Sequence, residues 1–332
     1  MEMRNRFWDT RQISIALILV AATIASGRSQ SPAVRTPGED VQDGTTRTKT
    51  FRVVGGPDAI VFDGTNIWVA SHMSNTVTKL RAKDGVELGK FEVGQRPVAL
   101  AYDGSHIWVA NLFENTVMKL RPADGAVVGT YKVGKQPTAL LFDGASVWVV
   151  NKQSGAVTKL RASDGTTLGV FKVGPQPMAI ADDGANIWVT NNGDGSVTKL
   201  LKSDGTVLGN FNAGGRPIGI AFDGLNIWVA NFYASSVTKL QASDGAILDT
   251  IHVEDGPSGV TFADGYIWVS SYGASTVTKL DPRFGSVVSS IPVGRGPSAV
   301  LYDGRNAWIA NSGSNSVLKV SEKKEKDSPI TN

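Results

Sequence analysis

Residues 183–200 read DGANIWVTNNGDGSVTKL, and close copies of this stretch stand forty residues earlier and forty residues later. Its tryptophan recurs every forty residues, and a proline eleven residues before each tryptophan keeps the same spacing. The tryptophans of this series are Trp68, Trp108, Trp148, Trp188, Trp228, Trp268 and Trp308, and the prolines are Pro57, Pro97, Pro137, Pro177, Pro217, Pro257 and Pro297. Seven copies at a fixed period without an insertion predict a repeat fold.

Each copy contains four short β-like runs, which in the second copy are ALAYD (99–103), IWVAN (107–111), TVMKL (116–120) and VVGTYKV (127–133). Asp-Gly pairs link the first run to the second and the third to the fourth, and they readily supply the positive φ that tight hairpin turns require. Four antiparallel strands per forty residues predict an all-β, seven-bladed β-propeller. Helical repeats are excluded because two Asp-Gly turns and a proline per copy would break their helices. A parallel β-helix is the second choice of architecture.

The two ends of the repeat region complement each other. The seventh copy has only three runs (298–302, 306–311 and 316–320), whereas TKTFRVV at 48–54 precedes the first proline and resembles a fourth run. We predict that this N-terminal strand joins the last blade and closes the ring, because closure satisfies sheet edges that would otherwise be free. The propeller is therefore expected to span 48–320, followed by a charged, disordered tail at 321–332.

The first 27 residues have the features of an export signal. Three arginines precede the apolar run ISIALILVAATIA at 13–25, and Ala25-Ser26-Gly27 suits cleavage before Arg28. A retained membrane anchor is the alternative, but thirteen apolar residues are short for a span of about 20. We therefore expect a secreted or periplasmic protein without stable membrane insertion after cleavage. Residues 28–47 are expected to form a flexible linker because they lack apolar periodicity.

The composition narrows the possible functions. The chain has no cysteine, which excludes disulfides, thiolate metal sites and a cysteine nucleophile. A formal net charge of +3 gives no strongly basic footprint for nucleic acid. Only three histidines are present, at positions 72, 106 and 252, and the blade assignment separates them. The chain also lacks the common metal, phosphate and nucleophile motifs.

Positions that are constant in all seven copies are interpreted as scaffold. The tryptophans are expected to pack between neighbouring blades. A lysine is equally constant, and each is expected to extend along its own blade toward solvent or a turn aspartate. These lysines are Lys79, Lys119, Lys159, Lys199, Lys239, Lys279 and Lys319.

Positions that vary between copies indicate a binding face. Because strands alternate in direction, the loop after the second strand and the link before the first strand open on one face. That face carries large loop residues, which are His72, Met73, Phe113, Phe232, Tyr233 and Tyr272, and polar residues before the prolines, which are Arg96, Gln136, Gln176 and Arg216. Aromatic residues and arginine are enriched where proteins bind partners, and function usually resides on loops held by a rigid scaffold. These ten residues are the predicted ligand-binding set, with neutral variation of the loops as the alternative.

The unit IWVANxxxxTVTKLxxxDGxxxGxFxVGxxPxxIAFDG resembles the YVTN-type β-propeller repeat of exported bacterial and archaeal proteins. It is also similar to the blades of the seven-bladed streptogramin B (virginiamycin B) lyases. The second resemblance implies a magnesium-dependent carbon–oxygen lyase with a catalytic histidine near the start of an inner strand. In this chain the equivalent position of each copy is the residue after the proline, and none of the seven is histidine. These residues are Asp58, Val98, Thr138, Met178, Ile218, Ser258 and Ser298.

Three functional hypotheses follow. The first is a non-catalytic, monomeric module that needs no cofactor and binds a protein or glycan on the variable face. The second is a lyase with acids such as Asp58 and Glu254 around Mg²⁺, which prefers several oxygen ligands. The third is a structural envelope protein that assembles with itself.

Overall fold

The computed structural model describes residues 41–42 and 46–322, and in these residues the chain forms strands and two short 3-10 helical turns. Blade 1 contains β3 (Pro57–Phe62), β4 (Asn66–Ser71), β5 (Thr76–Arg81) and β6 (Glu87–Glu92). Blade 2 contains β7 (Pro97–Tyr102), β8 (Ile107–Asn111), β9 (Thr116–Leu120) and β10 (Val127–Lys132). Blade 3 contains β11 (Pro137–Phe142), β12 (Ser146–Asn151), β13 (Ala156–Arg161) and β14 (Thr167–Lys172). Blade 4 contains β15 (Pro177–Asp182), β16 (Asn186–Asn191), β17 (Ser196–Leu201) and β18 (Val207–Asn212).

The remaining blades follow the same order. Blade 5 contains β19 (Pro217–Phe222), β20 (Asn226–Asn231), the turn Phe232–Ala234, β21 (Ser236–Gln241) and β22 (Ile247–His252). Blade 6 contains β23 (Pro257–Ala263), β24 (Tyr266–Ser271), β25 (Thr276–Leu280) and β26 (Val287–Pro292). Blade 7 contains β27 (Pro297–Tyr302), β28 (Asn306–Asn311), the turn Ser312–Ser314, β29 (Ser316–Glu322) and the N-terminal strands β1 (Val41–Gln42) and β2 (Thr46–Arg52). The predicted seven-bladed propeller is therefore confirmed.

Each blade is an antiparallel sheet. The strands of blades 1 to 6 lie in chain order from the channel outward, whereas in blade 7 the strands β27, β28 and β29 are followed outward by β2 and β1. The first strands of neighbouring blades meet around the channel: the Ser258 hydroxyl donates to the Pro297 carbonyl of the next blade over 2.9 Å. The pairing of the first two strands shifts just after the proline that begins each first strand, as between Pro137 and Ala139. The Asp-Gly turns between strands adopt the predicted geometry, with φ of 88° at Gly104 and 72° at Gly125.

The ring closes as predicted, through the N-terminal strand. β2 pairs with β29 from Thr46↔Glu322 to Arg52↔Ser316, and β1 pairs with the outer side of β2. The Ser298 hydroxyl donates to the Pro57 carbonyl over 3.2 Å, which joins the first strands of blades 7 and 1. The closing strand starts at Thr46 rather than residue 48, and β1 lies inside the expected 28–47 linker. The predicted signal peptide (1–27), the rest of that linker outside β1 and β2, and the tail beyond Glu322 lie outside the described residues.

The tryptophans pack between blades, as predicted. Trp188 of blade 4 lies in one buried cluster with Ile227, Val229 and Leu240 of blade 5. Burial of each ring contributes about 2–3 kcal/mol. The indole also has a polar role, because Trp188 Nε1 donates to the Asp183 carboxylate over 2.7 Å. Blade 6 has Ala263 at the equivalent position, and there the Trp268 indole donates to the Ala263 carbonyl oxygen instead.

The seven lysines have a structural role, but the prediction that each side chain extends along its own blade is wrong. Each lysine crosses to the next blade: Lys119 Nζ donates to the Ala162 carbonyl and Lys199 Nζ to the Ala242 carbonyl, both over 2.7 Å. Each ammonium also lies 4.6–5.2 Å from the ring centre of its blade's tryptophan. A buried ammonium needs acceptors away from water; main-chain carbonyls of the next blade supply them for six lysines, and the Glu322 carboxylate supplies one for Lys279.

Candidate functional site

The upper face consists of the links before each first strand and the loops between each second and third strand. The two kinds of segment hydrogen-bond to each other, as in His72 N to Gly56 O over 3.1 Å and Lys152 N to Gln136 O over 2.9 Å. The link before the proline and the loop after strand two therefore lie side by side at the channel mouth, as the alternation of strands predicts. All ten predicted ligand-binding residues lie on these segments.

The residues before the prolines have left-handed backbone geometry. Arg96, Gln136, Gln176 and Arg216 have φ of 57°, 56°, 50° and 56°, whereas blades 1, 6 and 7 place glycine there. Hydrogen bonds hold this geometry, since Arg96 N donates to Asn75 Oδ1 over 2.9 Å and Gln136 N donates to Asn115 Oδ1 over 2.8 Å. A left-handed conformation costs a residue with a side chain about 1–2 kcal/mol.

Two arginine–aromatic pairs repeat the same arrangement on different blades. The Arg96 guanidinium lies 5.0 Å from the centre of the Phe113 ring in blade 2, and the Arg216 guanidinium lies 5.0 Å from the Tyr233 ring in blade 5. Both aromatic rings are more than half exposed, at 56% for Phe113 and 54% for Tyr233. Each pair places a cation against an exposed ring; Arg216 is itself exposed, whereas Arg96 is half-buried.

Three aromatic residues, Phe232, Tyr233 and Tyr272, form what we call the aromatic arc. The Phe232 ring centre lies 5.2 Å from that of Tyr233, edge to face, and 6.3 Å from that of Tyr272. Tyr272 extends over the neighbouring blade, where a Cβ atom at Gly296 would lie 3.0 Å from its ring. The glycine at this position therefore leaves room for the Tyr272 ring.

The centre of the face carries a mixed set of charges, which we call the mouth cluster: Asp58, His72, Arg96, Lys152 and Arg216. Asp58 Oδ2 lies 3.5 Å from His72 Nδ1. Burial raises the pKa of the Asp58 carboxyl, and the nearby His72 and Arg96 charges oppose this rise. Burial lowers the pKa of Lys152, and repulsion from Arg216 and Arg96 lowers it further. Lys152 therefore lies within electrostatic range of both arginines.

The structure separates the predicted residues into two groups. Arg96, Arg216 and the four aromatic residues make the contacts described above, whereas Met73 is 63% exposed and Gln136 and Gln176 are left-handed residues of the links. His72 differs from the expectation of an exposed loop tip, because its side chain is only 8% exposed and lies against Asp58. Lys152 was missed by the sequence analysis. Lys152 could have been identified from its position, because it is the second residue of its loop, as His72, Phe232 and Tyr272 are of theirs.

The acids proposed for magnesium do not come together. Glu254 lines a cavity of about 280 Å³ with His252, Thr278 and Ser290, at the outer strands of blades 5 and 6, whereas Asp58 lies at the channel mouth. Across residues 41–42 and 46–322, no group of three His, Cys, Asp or Glu side chains is placed to hold a metal ion. The residues that the structure describes therefore do not fit the magnesium site of the lyase hypothesis.

The fold and its upper face define a seven-bladed propeller with a variable loop surface. No family model matches the chain, and no curated protein matches it. Solved structures are similar to it in fold. A streptogramin B lyase aligns with a TM-score of 0.73 and 18% identity, over 84% of this chain and 98% of that chain. Virginiamycin B lyase from Staphylococcus aureus aligns with a TM-score of 0.73 and 16% identity, over 83% of this chain and 99% of that chain.

A protein of different function has a similar fold. Hydrazine synthase from Kuenenia stuttgartiensis aligns with a TM-score of 0.70 and 18% identity, over 90% of this chain and all of that chain. At these identities the likeness establishes the fold alone. In the described part of the chain, no helix has the length and apolar character needed to cross a membrane.

Proposed function

We propose that this protein is an exported, monomeric, non-catalytic binding module that takes a protein or glycan ligand on its upper face. The observation that carries the proposal is the pair of exposed arginine–aromatic contacts, Arg96–Phe113 and Arg216–Tyr233, beside the aromatic arc. Exposed aromatic rings lose apolar contact with water when a partner covers them, and arginines orient polar groups of the partner. Export rests on the basic and apolar segments of residues 1–27.

The strained backbone supports function over neutral variation. Four blades keep a side chain at a left-handed position where three others have glycine, at a cost of about 1–2 kcal/mol each. A surface without a role gains stability by replacing these residues with glycine. Arg96, Gln136, Gln176 and Arg216 instead occupy four consecutive blades, and strained residues of this kind concentrate at functional sites.

The lyase hypothesis is weaker on the same residues. It draws support from the similarity in fold to the streptogramin B lyases and from the His72–Asp58 pair at the channel mouth. The carboxylates that a magnesium site would need are not brought together, since Asp58 lies at the channel mouth and Glu254 lies in the cavity at the outer strands. Turnover of a cyclic depsipeptide that requires Mg²⁺ and disappears in Asp58→Asn would favour the lyase over the binding module.

The test compares the full-length protein with a variant in which Phe113, Phe232, Tyr233 and Tyr272 are replaced by serine. Both are immobilised and exposed to a glycan array and to an extracellular and envelope extract. The matched control is Phe284→Ser, because Phe284 is 74% exposed but lies in a turn on the opposite face. We expect a ligand that the parent and Phe284→Ser retain and the fourfold variant loses. Equal retention by all three proteins would refute the proposal.

A further inference from the structure

We propose that the cavity between blades 5 and 6 binds a small primary amine, whose ammonium group is held by Glu254 and by the hydroxyls of Thr278 and Ser290. The cavity has a volume of about 280 Å³, and none of its lining residues belongs to the predicted ligand-binding set, so the inference goes beyond the proposed function. The remaining lining residues are His252, Val253 and Val287.

Blade 6 departs from the repeat at two positions next to this cavity. In blades 2, 3, 4, 5 and 7, the link before the first strand contains a glycine that packs against the asparagine at the end of the second strand. A Cβ atom at Gly174, for example, would lie 2.6 Å from the Asn191 side chain. A larger link residue is therefore incompatible with the asparagine, and blade 6 has Glu254 with Ser271 instead.

This exchange leaves the Thr278 hydroxyl without the partners that its equivalent in blade 5 has. In blade 5, Asn231 Nδ2 donates to the Thr238 hydroxyl over 2.8 Å, and that hydroxyl donates to the Ala213 carbonyl over 2.8 Å. Thr278 is 1% exposed, and its hydroxyl oxygen has no hydrogen-bond partner among the described residues. A buried hydroxyl without a hydrogen bond is unfavourable, so a ligand that supplies one gains affinity at this place.

The lining offers the number of acceptors that an ammonium group needs. Thr278 pairs directly with Ser290 across β25 and β26, so the two hydroxyls lie at neighbouring positions on one face of the blade. Both residues line the cavity together with Glu254. A primary ammonium has three N–H donors and no acceptor, and one carboxylate with two hydroxyls supplies three acceptors. His252 offers a further acceptor nitrogen when its imidazole is uncharged.

The charge of the lining favours a cation over a neutral ligand. Among the described residues that line the cavity, Glu254 is the only acid, and none is lysine or arginine. The Glu254 side chain makes no hydrogen bond or ion pair with any described residue, whereas the neighbouring Asp255 accepts the Ser235 hydroxyl. Val253 and Val287 provide apolar surface for the hydrocarbon part of an amine. A metal ion would need more oxygen ligands than this single carboxylate and two hydroxyls provide.

The test titrates the full-length protein with n-hexylamine and with Nα-acetyl-lysine methylamide, and follows the backbone amide signals by NMR. The first probe is a free amine, and the second presents a lysine side chain as a protein partner would. The cavity has the volume of about nine water molecules, which accommodates either hydrocarbon chain. We expect the amide signals of Glu254, Thr278 and Ser290 to shift, and the neutral counterpart n-hexanol to bind at least about tenfold more weakly.

Two matched pairs of variants locate the site. Glu254→Gln should weaken amine binding about tenfold, whereas Glu114→Gln makes the same change on a loop of blade 2 and should bind like the parent. Glu254→Gly combined with Ser271→Asn restores the arrangement of the other blades, in which the asparagine side chain takes this space. This double variant should unfold cooperatively and no longer bind the amine. Val54→Gly combined with Ser71→Asn makes the same exchange in blade 1 and should leave binding unchanged.

Each outcome supports or overturns the inference. Shifts with both amines support a site for free amines, and shifts with the lysine derivative alone support a site for a partner's lysine. Equal affinity for n-hexanol, or unchanged binding in Glu254→Gln, would overturn the role of the carboxylate. Binding retained by the blade 6 double variant would overturn the location, and no shift with either amine would show that the cavity is only a gap in packing. The fourfold serine variant tests the proposed function separately.

Discussion

Asn315 joins the last blade to the first, and its substitution tests the closure of the ring. Asn315 Oδ1 accepts the backbone N–H groups of Gly55 and Gly56 over 3.0 and 2.9 Å. Asn115 holds the equivalent place in blade 2 but accepts one N–H, from Gln136. Both asparagines are left-handed, with φ of 51° and 57°. Glycine occupies this position naturally at Gly155 and is therefore a compatible replacement.

The structure gives the size of the effect. Asn315→Gly removes two hydrogen bonds and Asn115→Gly removes one, at about 1 kcal/mol each. Changes in backbone entropy are the same in both variants and cancel in the comparison. We therefore expect the free energy of unfolding to fall by about 1 kcal/mol more in Asn315→Gly than in Asn115→Gly, because one more hydrogen bond is lost.

The assay is urea unfolding of the full-length protein followed by tryptophan fluorescence, with the midpoint and the slope compared between variants. Native-state hydrogen exchange adds a local readout, since the Gly55 and Gly56 amides should lose protection in Asn315→Gly alone. A loss in Asn115→Gly equal to or larger than that in Asn315→Gly would refute the idea that the blade 7–blade 1 junction depends on this side chain.

Three further predictions concern the scaffold. Deleting residues 1–52 removes the closing strand and the Phe51 ring stacked 5.7 Å from Trp308, so the melting temperature by calorimetry should fall by about 10 °C or more. Asp143→Asn leaves either the Trp148 indole or the two turn N–H groups of Ala145 and Ser146 without an acceptor and should cost about 1–3 kcal/mol in urea unfolding. The third prediction is acid sensitivity of the aspartates that accept the tryptophan indoles. Burial alone would raise the pKa of such a carboxyl. Hydrogen bonds from the indole and the turn outweigh burial and lower the pKa below the ordinary 3.8, as at Asp143. Their stabilisation is therefore complete above pH about 4 and is lost as the pH falls through the lowered values, so the urea midpoint should drop there, less steeply in Asp143→Asn. The aspartates whose pKa is lowered in this way are Asp63, Asp143, Asp183, Asp223 and Asp303.

The fold could be predicted because its determinants are local and repeated. Asp-Gly turns, the proline and the tryptophan specify one blade, and the incomplete seventh copy specifies closure by the N-terminal strand. The direction of the lysines could not be predicted in this way. Lys119 ends at Ala162, in the next blade, and the choice between solvent and a neighbouring carbonyl depends on how closely two blades approach.

The candidate site was predictable as a face but not as a set of contacts. The residue types of the loops identified Arg96, Phe113, Arg216 and Tyr233, yet their pairing depends on a link and a loop seventeen residues apart meeting side by side. Lys152 was overlooked because its loop, NKQSG, has the composition of an ordinary polar turn. The arginines that lower the pKa of Lys152 belong to blades 2 and 5, and nothing in the sequence around Lys152 indicates that they act on it.

The lysine contacts between blades also bear on how the number of blades can change. Lys79, Lys159 and Lys239 each reach a carbonyl 43 residues ahead, and Lys279 reaches the Glu322 carboxylate over the same interval. Unequal recombination that removes or adds one whole forty-residue unit within blades 1 to 5 would leave every such joint with an acceptor, because each carbonyl is a main-chain group independent of residue identity. Gene duplication can therefore vary the size of this ring without first inventing a new contact between blades.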